Sequence, residues 1–287
     1  MEKLIFDFKD PRLDAGSAAR CVLNVVIGME SVSLLATEKS GEVRALQTRH
    51  FAHTGRDFDD AETAIRTVFG GEPLFSLPFA TVNCAFFNLN ATLVPRRLLL
   101  TEDLGAYFQL LLRPANYTYH HDPLPEFDCH LVYAVEPWVA RLCEQYFPAA
   151  NTVHLSTAML KCWQHRASPS GYEVMLNVRN QAAQIAVFDR QNLLLYNAFQ
   201  FQKSSDLLYF TLLAYDQFRL SPEEIALTVS GNLAEHTEDY KTLFRYVHTI
   251  RSGHLPLSAV LPVEADGWPE HFWLDLFSIP PSVILTT

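Results

Sequence analysis

Two short clusters bring metal-ligating side chains close together in the chain. His120-His121-Asp122 and Asp128-Cys129-His130 flank a segment that holds Pro123 and Pro125. Imidazole, thiolate and carboxylate are zinc ligands, but this spacing matches no standard zinc signature. The prolines point to a surface loop, and no metal is expected. The stretch Glu235-His236-Thr237-Glu238-Asp239 has residue types suited to proton transfer. As a charge run on a helix surface it reads as a solvated face. Ser168 and Ser170 have no evident base. Trp268 and Trp273 could stack on a ligand, but packing of the last helix accounts for them. The chain holds no G-x-S-x-G elbow, H-E-x-x-H pair, Walker loop or G-x-G-x-x-G turn. Glycine is scarce: 11 among 287 residues, against a usual share of about 7%. That bears on phosphate chemistry, because backbone phosphate cradles are made largely of glycine.

Composition narrows the classes further. With 49% hydrophobic and 19% charged residues, the chain is a folded protein. A formal net charge of -10, with Arg96-Arg97 the longest basic cluster, argues against nucleic-acid binding. Five cysteines cannot all pair within one chain, and none forms C-x-x-C. Cys21 and Cys84 lie in apolar, strand-like runs. This favours a reducing, cytoplasmic setting. The N-terminus has acids where a signal peptide needs an apolar run. The uncharged stretch from Pro73 to Pro95 is long enough to span a bilayer, but it contains Pro78, Asn83, Asn88 and Asn90. Those residues argue for strands in a soluble core rather than membrane insertion.

The elements that would position any site occur twice. A first strand, Cys21 to Ile27, is followed by a second, Val32 to Thr37, and a third, Val43 to Phe51. The same pattern returns as Val174 to Val178, Gln184 to Phe188 and Leu193 to Phe201. It matches Leu23-Asn24-Val25 to Leu176-Asn177-Val178. A helix follows each unit: Asp59 to Phe69, and a stronger one capped by Ser204-Ser205-Asp206. Further on, the pattern predicts strands at Leu131 to Val135, Val153 to Leu155, Ile225 to Val229 and Tyr246 to Ile250. It predicts helices at Pro137 to Phe147, Ser156 to His165, Glu235 to Phe244 and Glu270 to Phe277. Ala167-Ser168-Pro169-Ser170-Gly171 makes a linker. The boundary is placed there, giving lobes 1–168 and 169–287.

Three antiparallel strands and then alternating helices and strands, repeated, is the pattern of the actin-like fold of sugar kinases, heat-shock chaperones and actin. The expected class is α/β: a duplicated, ribonuclease H-like architecture with a mixed five-stranded sheet and flanking helices in each lobe. The two repeats, the segment Asn90 to Leu99 with its valine-proline step before a helix at Glu102 to Leu112, and Ala226 to Asn232 also carry a family resemblance. The chain resembles the bacterial domain-of-unknown-function family 3822, a member of the actin-like ATPase superfamily. The resemblance brings a fold and no established activity.

In active members of that superfamily, the first strand of each half carries an aspartate before a glycine-containing hairpin. The hairpin amides hold phosphates, and the aspartates position magnesium and its waters. The matching residues here are Asn24 with Gly28, and Asn177 with the glycine-free hairpin Arg179-Asn180-Gln181-Ala182. Gly231 and Asn232 stand where such folds place a turn near adenosine, although a plain strand-to-helix turn accounts for them. The expectation is therefore a degenerate, non-hydrolysing scaffold or partner-binding module, with no cofactor supported by the motifs. The protein partner's identity is open. The alternative is a nucleotide-binding ATPase or kinase-like phosphotransferase, which needs acids from elsewhere, such as Glu30 or Asp206.

Overall fold

A computed structural model describes residues 2–28, 30–51, 58–109 and 116–279. Contacts divide the chain into two compact units. One comprises Met1–Thr157, Pro256–Asp266 and Ile279–Thr287, and the other Ala158–Leu255 and Gly267–Ser278. The sequence reading puts its boundary between 168 and 169. The contact division falls at 157/158, and two later stretches return to the first unit. One return is visible in backbone bonds: Val43 N donates to Val260 O and Val260 N to Gly41 O.

The first unit runs β1 (Glu2–Lys9), α1 (Ala15–Ala18), β2 (Cys21–Gly28), β3 (Ser31–Glu38), β4 (Val43–Phe51), α2 (Phe58–Gly71), β5 (Thr81–Phe87), β6 (Ala91–Pro95), β7 (Thr118–Leu124), β8 (Cys129–Val135), α3 (Pro137–Tyr146) and β9 (Asn151–His154). Its main sheet has the order β1-β4-β3-β2-β5-β9. Strand β2 pairs antiparallel with β3 and parallel with β5. It is buried along nearly its whole length, so its sequence reads as a continuous apolar run broken by Asn24. The sheet has six strands rather than the expected five, because β1 adds to the outer edge of β4.

Helix α4 (Leu155–Arg166) leads to the second unit: β10 (Tyr172–Arg179), β11 (Ala182–Asp189), β12 (Asn192–Gln200), α5 (Ser204–Gln217), β13 (Leu227–Gly231), α6 (Glu238–Phe244), β14 (Ile250–Ser252) and α7 (Leu274–Ser278). Its sheet has the expected five strands, in the order β12-β11-β10-β13-β14. Alternation decides its faces. Val174, Leu176, Val178, Leu227 and Val229 pack with Leu207, Ala214 and Tyr215 of α5 and Leu243 of α6. The intervening residues, including Met175, Asn177, Thr228 and Ser230, therefore line the opposite face.

Three expectations need correction. The segment from His120 to His130 is not a surface loop but the hairpin β7–β8 within a third sheet, β6-β8-β7. Pro123 is accommodated because β7 is an edge strand, where a missing N–H costs no ladder bond. The strand expected at Tyr246 to Ile250 starts only at Ile250. Tyr246 N and Val247 N both bond back to Leu243 O and close the preceding helix instead. The helix expected from Glu102 is a short 3-10 turn at Leu104–Phe108, and its later part lies outside the described residues. Of the expected cap Ser204-Ser205-Asp206 on α5, it is Asp206 that acts: its carboxylate accepts from the backbone N–H of Gln202 and Lys203.

Candidate functional site

In the first unit, Asn24 sits mid-strand in β2, opposite Asn83 of β5, and Asn83 stands opposite Asn151 of β9. This register places three asparagines side by side across three parallel strands. Asn151 Nδ2 donates to Asn83 Oδ1 at 2.9 Å, and Asn83 Nδ2 donates to Asn24 Oδ1 at 2.8 Å. Asn24 Nδ2 donates to Ile279 O at 3.3 Å. Asn24 is 5% exposed and Asn83 fully buried. Desolvating such amides is costly unless they are paired, and the row pairs them with one another.

In the second unit, the register sets Gln184, Asn177 and Ser230 in one row across β11, β10 and β13. Asn177 Nδ2 donates to Gln184 Oε1 at 3.0 Å, and Ser230 Oγ donates to Asn177 Oδ1 at 3.0 Å. All three side chains are buried. Both asparagines thus tie strands together, and neither presents an unengaged oxygen to a metal's water shell.

The strand ends differ between the units. Gly28 closes β2 without needing to be glycine: an added Cβ would meet Ser31 Oγ at 3.4 Å, an ordinary contact. Gly231, at φ +77°, cannot be replaced freely, because a Cβ there would lie 2.0 Å from Val178 O. Asn180 takes φ 54° at the tip between β10 and β11. Asparagine adopts this left-handed conformation more readily than most residues, which explains a tight hairpin with no glycine. Asn180 N donates to Asn232 Oδ1 at 3.2 Å, and Asn232 N donates to Val178 O at 2.6 Å. Asn177, Asn180, Gly231 and Asn232 are therefore brought together at one end of the second sheet, locking its hairpin to β13. At the base of that hairpin, Arg179 and Asp275 form a buried ion pair of 2.5 Å.

Of the acids considered as substitutes, Asp206 is occupied as the cap of α5. Its carboxyl is held below the usual range, first by the N–H of Gln202. Glu30 lies at the turn after β2, where its carbonyl accepts from Phe51 N. A residue not singled out in the sequence has a better position. Glu136, between β8 and α3, lines a small cavity with Gly28, Phe87, Asn88 and Trp138. Burial pushes its carboxyl above the ordinary value, and its side chain caps no helix N–H. The signal for it was an acid placed between an apolar strand and a helix-opening proline, Val135-Glu136-Pro137.

The histidine cluster has other duties. His121 and His130 face each other across β7 and β8, Nδ1 to Nδ1 at 3.1 Å. Asp122 is buried and accepts from His154 N, Thr157 Oγ1 and Tyr133 Oη at 2.8, 2.7 and 3.2 Å. Burial pushes the His154 imidazole down to about 3, so it is neutral at physiological pH. Among the described residues, no group of three or more His, Cys, Asp and Glu could hold a metal ion. No described helix is long and apolar enough to cross a membrane.

The family model described as "Protein of unknown function (DUF3822)" matches residues 10–250. None of the curated proteins searched matches the chain. Among solved structures, the chain is similar to a Bacteroides thetaiotaomicron protein with actin-like ATPase fold and unknown function. The TM-score is 0.72 and the identity 16%, covering 84% of this chain and 93% of that one. It is also similar to the PilM–PilN type IV pilus biogenesis complex, with TM-score 0.58, 13% identity, and 93% and 98% of the two chains covered. At these identities the likeness shows the fold, which is actin-like.

Proposed function

The chain belongs to the DUF3822 family of proteins of unknown function, and we propose that it is an actin-like module that does not hydrolyse nucleotide and works by binding a protein partner. One observation carries the reading. Asn24 and Asn177, the positions that the repeat matches to the superfamily's aspartates, are neutral amides already engaged inside their own sheets. Mg²⁺ takes carboxylate oxygens and keeps much of its water. An amide brings no charge, and here each amide oxygen already accepts a hydrogen bond. These residues do not fit a magnesium ion.

Strand β12 supports the partner side of the reading. It forms an outer edge of its sheet, and its nine residues, Asn192 to Gln200, carry no charge and no proline. Long, uncharged edges are prone to pair with another strand, and an extended segment of a partner is the natural occupant. PilM gives a precedent, by analogy of fold alone, for this architecture in a protein complex. The five free cysteines support a reducing, cytoplasmic setting. A second reading, nucleotide-dependent phosphotransfer, is favoured by Glu136, a carboxyl with a raised pKa beside Gly28.

Phosphate release measured on the full chain with Mg-ATP separates the two. Release at the protein-free background is expected. Turnover abolished by Glu136→Gln would overturn the scaffold reading in favour of the second. On the partner side, Leu194→Lys in β12 is expected to abolish co-purification of a specific partner while leaving thermal unfolding unchanged. Undiminished co-purification would remove β12 as the surface.

A further inference from the structure

The second unit contains a cavity of about 570 Å³, within the range of small-molecule sites. Its floor is the sheet face turned away from α5 and α6. There the register sets Met175, Thr228 and Arg251 side by side across β10, β13 and β14. Trp163 of α4 and Leu274 of α7 are cavity-lining residues and, like Met175, almost wholly buried. They supply an apolar lining able to hold a flat or chain-like body.

The polar groups of the lining are unevenly matched. Arg251 is exposed, and among the described residues its guanidinium has no hydrogen-bond or ion-pair partner; the Thr228 hydroxyl likewise has none there. Arg166 donates to the His254 carbonyl and has no carboxylate partner among the described residues. His254 is different, because its Nδ1 faces Glu270 Oε1 at 2.7 Å. Glu173 is the one acid of the lining, and its carboxylate already accepts from Ser168 N at 2.8 Å. Two guanidinium groups therefore border an apolar cavity in a chain whose net charge is -10. An unpaired arginine presents a planar fork of donors suited to carboxylate or phosphate.

We infer that this cavity binds a small amphipathic anion, its apolar body against Trp163, Met175 and Leu274 and its anionic head at Arg251 and Arg166, with Thr228 as a further hydrogen-bond partner. The lining includes Ser230, whose hydroxyl donates to Asn177 Oδ1, but the anion is held by the arginines and not by the asparagines, and the inference goes beyond the scaffold reading without depending on it.

Fluorescence titration of the full chain with 8-anilinonaphthalene-1-sulfonate tests it. The dye carries an aromatic body and one anionic head. One dye per chain is expected, with Kd raised about tenfold or more by Arg251→Gln, an exposed change that the fold tolerates. Thr228→Trp, which fills the cavity, is expected to weaken binding comparably. Competition with octanoate and with phenyl phosphate identifies a carboxylate or a phosphate head, and displacement by either supports the site. An affinity unchanged in Arg251→Gln, or a dye that neither competitor displaces, overturns the proposal.

Discussion

The two sheets solve one problem in two ways. Each places an asparagine at the centre of its first repeated strand, where the neighbouring strands exclude water. In the first unit the antiparallel neighbour opposite Asn24 is Leu35, which has no polar group to offer. Asn24 therefore takes its partners from the parallel side, through Asn83 to Asn151, and from the fixed carbonyl of Ile279. In the second unit the antiparallel neighbour of Asn177 is Gln184, and Ser230 stands on the parallel side. Those partners can turn: a glutamine amide presents either donor or acceptor, and a hydroxyl rotates. The first row is fixed by backbone and the second is adjustable. The edges differ as well, because β1 covers β4 in the first sheet while β12 remains an edge in the second.

The largest expected effect lies at the second unit's hairpin, which Arg179 and Asp275 anchor by charge. Asp275→Ala leaves Arg179 buried without its carboxylate, and a loss of about 3–5 kcal/mol is expected in urea unfolding. Next comes a paired test of the amide rows. Asn24→Asp sets a carboxylate against the Ile279 carbonyl and is expected to cost about 3 kcal/mol at neutral pH. Asn177→Asp is expected to cost only about 1 kcal/mol, because Gln184 can turn its NH₂ toward the new charge and Ser230 already donates. The Asn24→Asp loss should shrink in acid, since a protonated carboxyl again donates to the carbonyl. Equal costs for the two variants would break the comparison.

Smaller effects sharpen it. Gly231→Ala is expected to cost about 1–3 kcal/mol, because its φ is +77° and the Val178 carbonyl blocks the new methyl. Gly28→Ala should stay within about 1 kcal/mol of the parent, having ordinary contacts. Glu136→Gln gives the smallest and most pH-dependent change. Burial raises the folded-state pKa of Glu136. Its contribution is therefore most favourable below the unfolded pKa and is lost as pH rises through the folded one. The glutamine variant should gain melting temperature relative to the parent above that range and show no gain at acid pH.

Much of the fold was legible because its signals are local. The repeated strands announce themselves by alternation and β-branched content, and β4 begins and ends where the pattern places it. Helix α3 follows from Pro137 at its first turn. Elements held by distant partners were harder to read. Strand β1 exists as a strand through β4, about forty residues on. Strand β7 carries a proline that only its edge position makes acceptable. The site was half legible. That Asn24 and Asn177 are neutral amides can be read from residue type alone. Glu136 could not be linked to Gly28, because their juxtaposition requires β5, β8 and α3 to pack first.

By itself the sequence determined the duplication, the amides at Asn24 and Asn177, the scarcity of glycine and the acidic balance, since composition and period-two patterning need no partner. Tertiary structure decided what those amides do. Register across parallel strands turned three separate asparagines into one hydrogen-bonded row. It also set Thr228 beside Arg251 over an apolar cavity. Parallel neighbours lie far apart in the chain, so local pattern does not encode their alignment, and packing selects it.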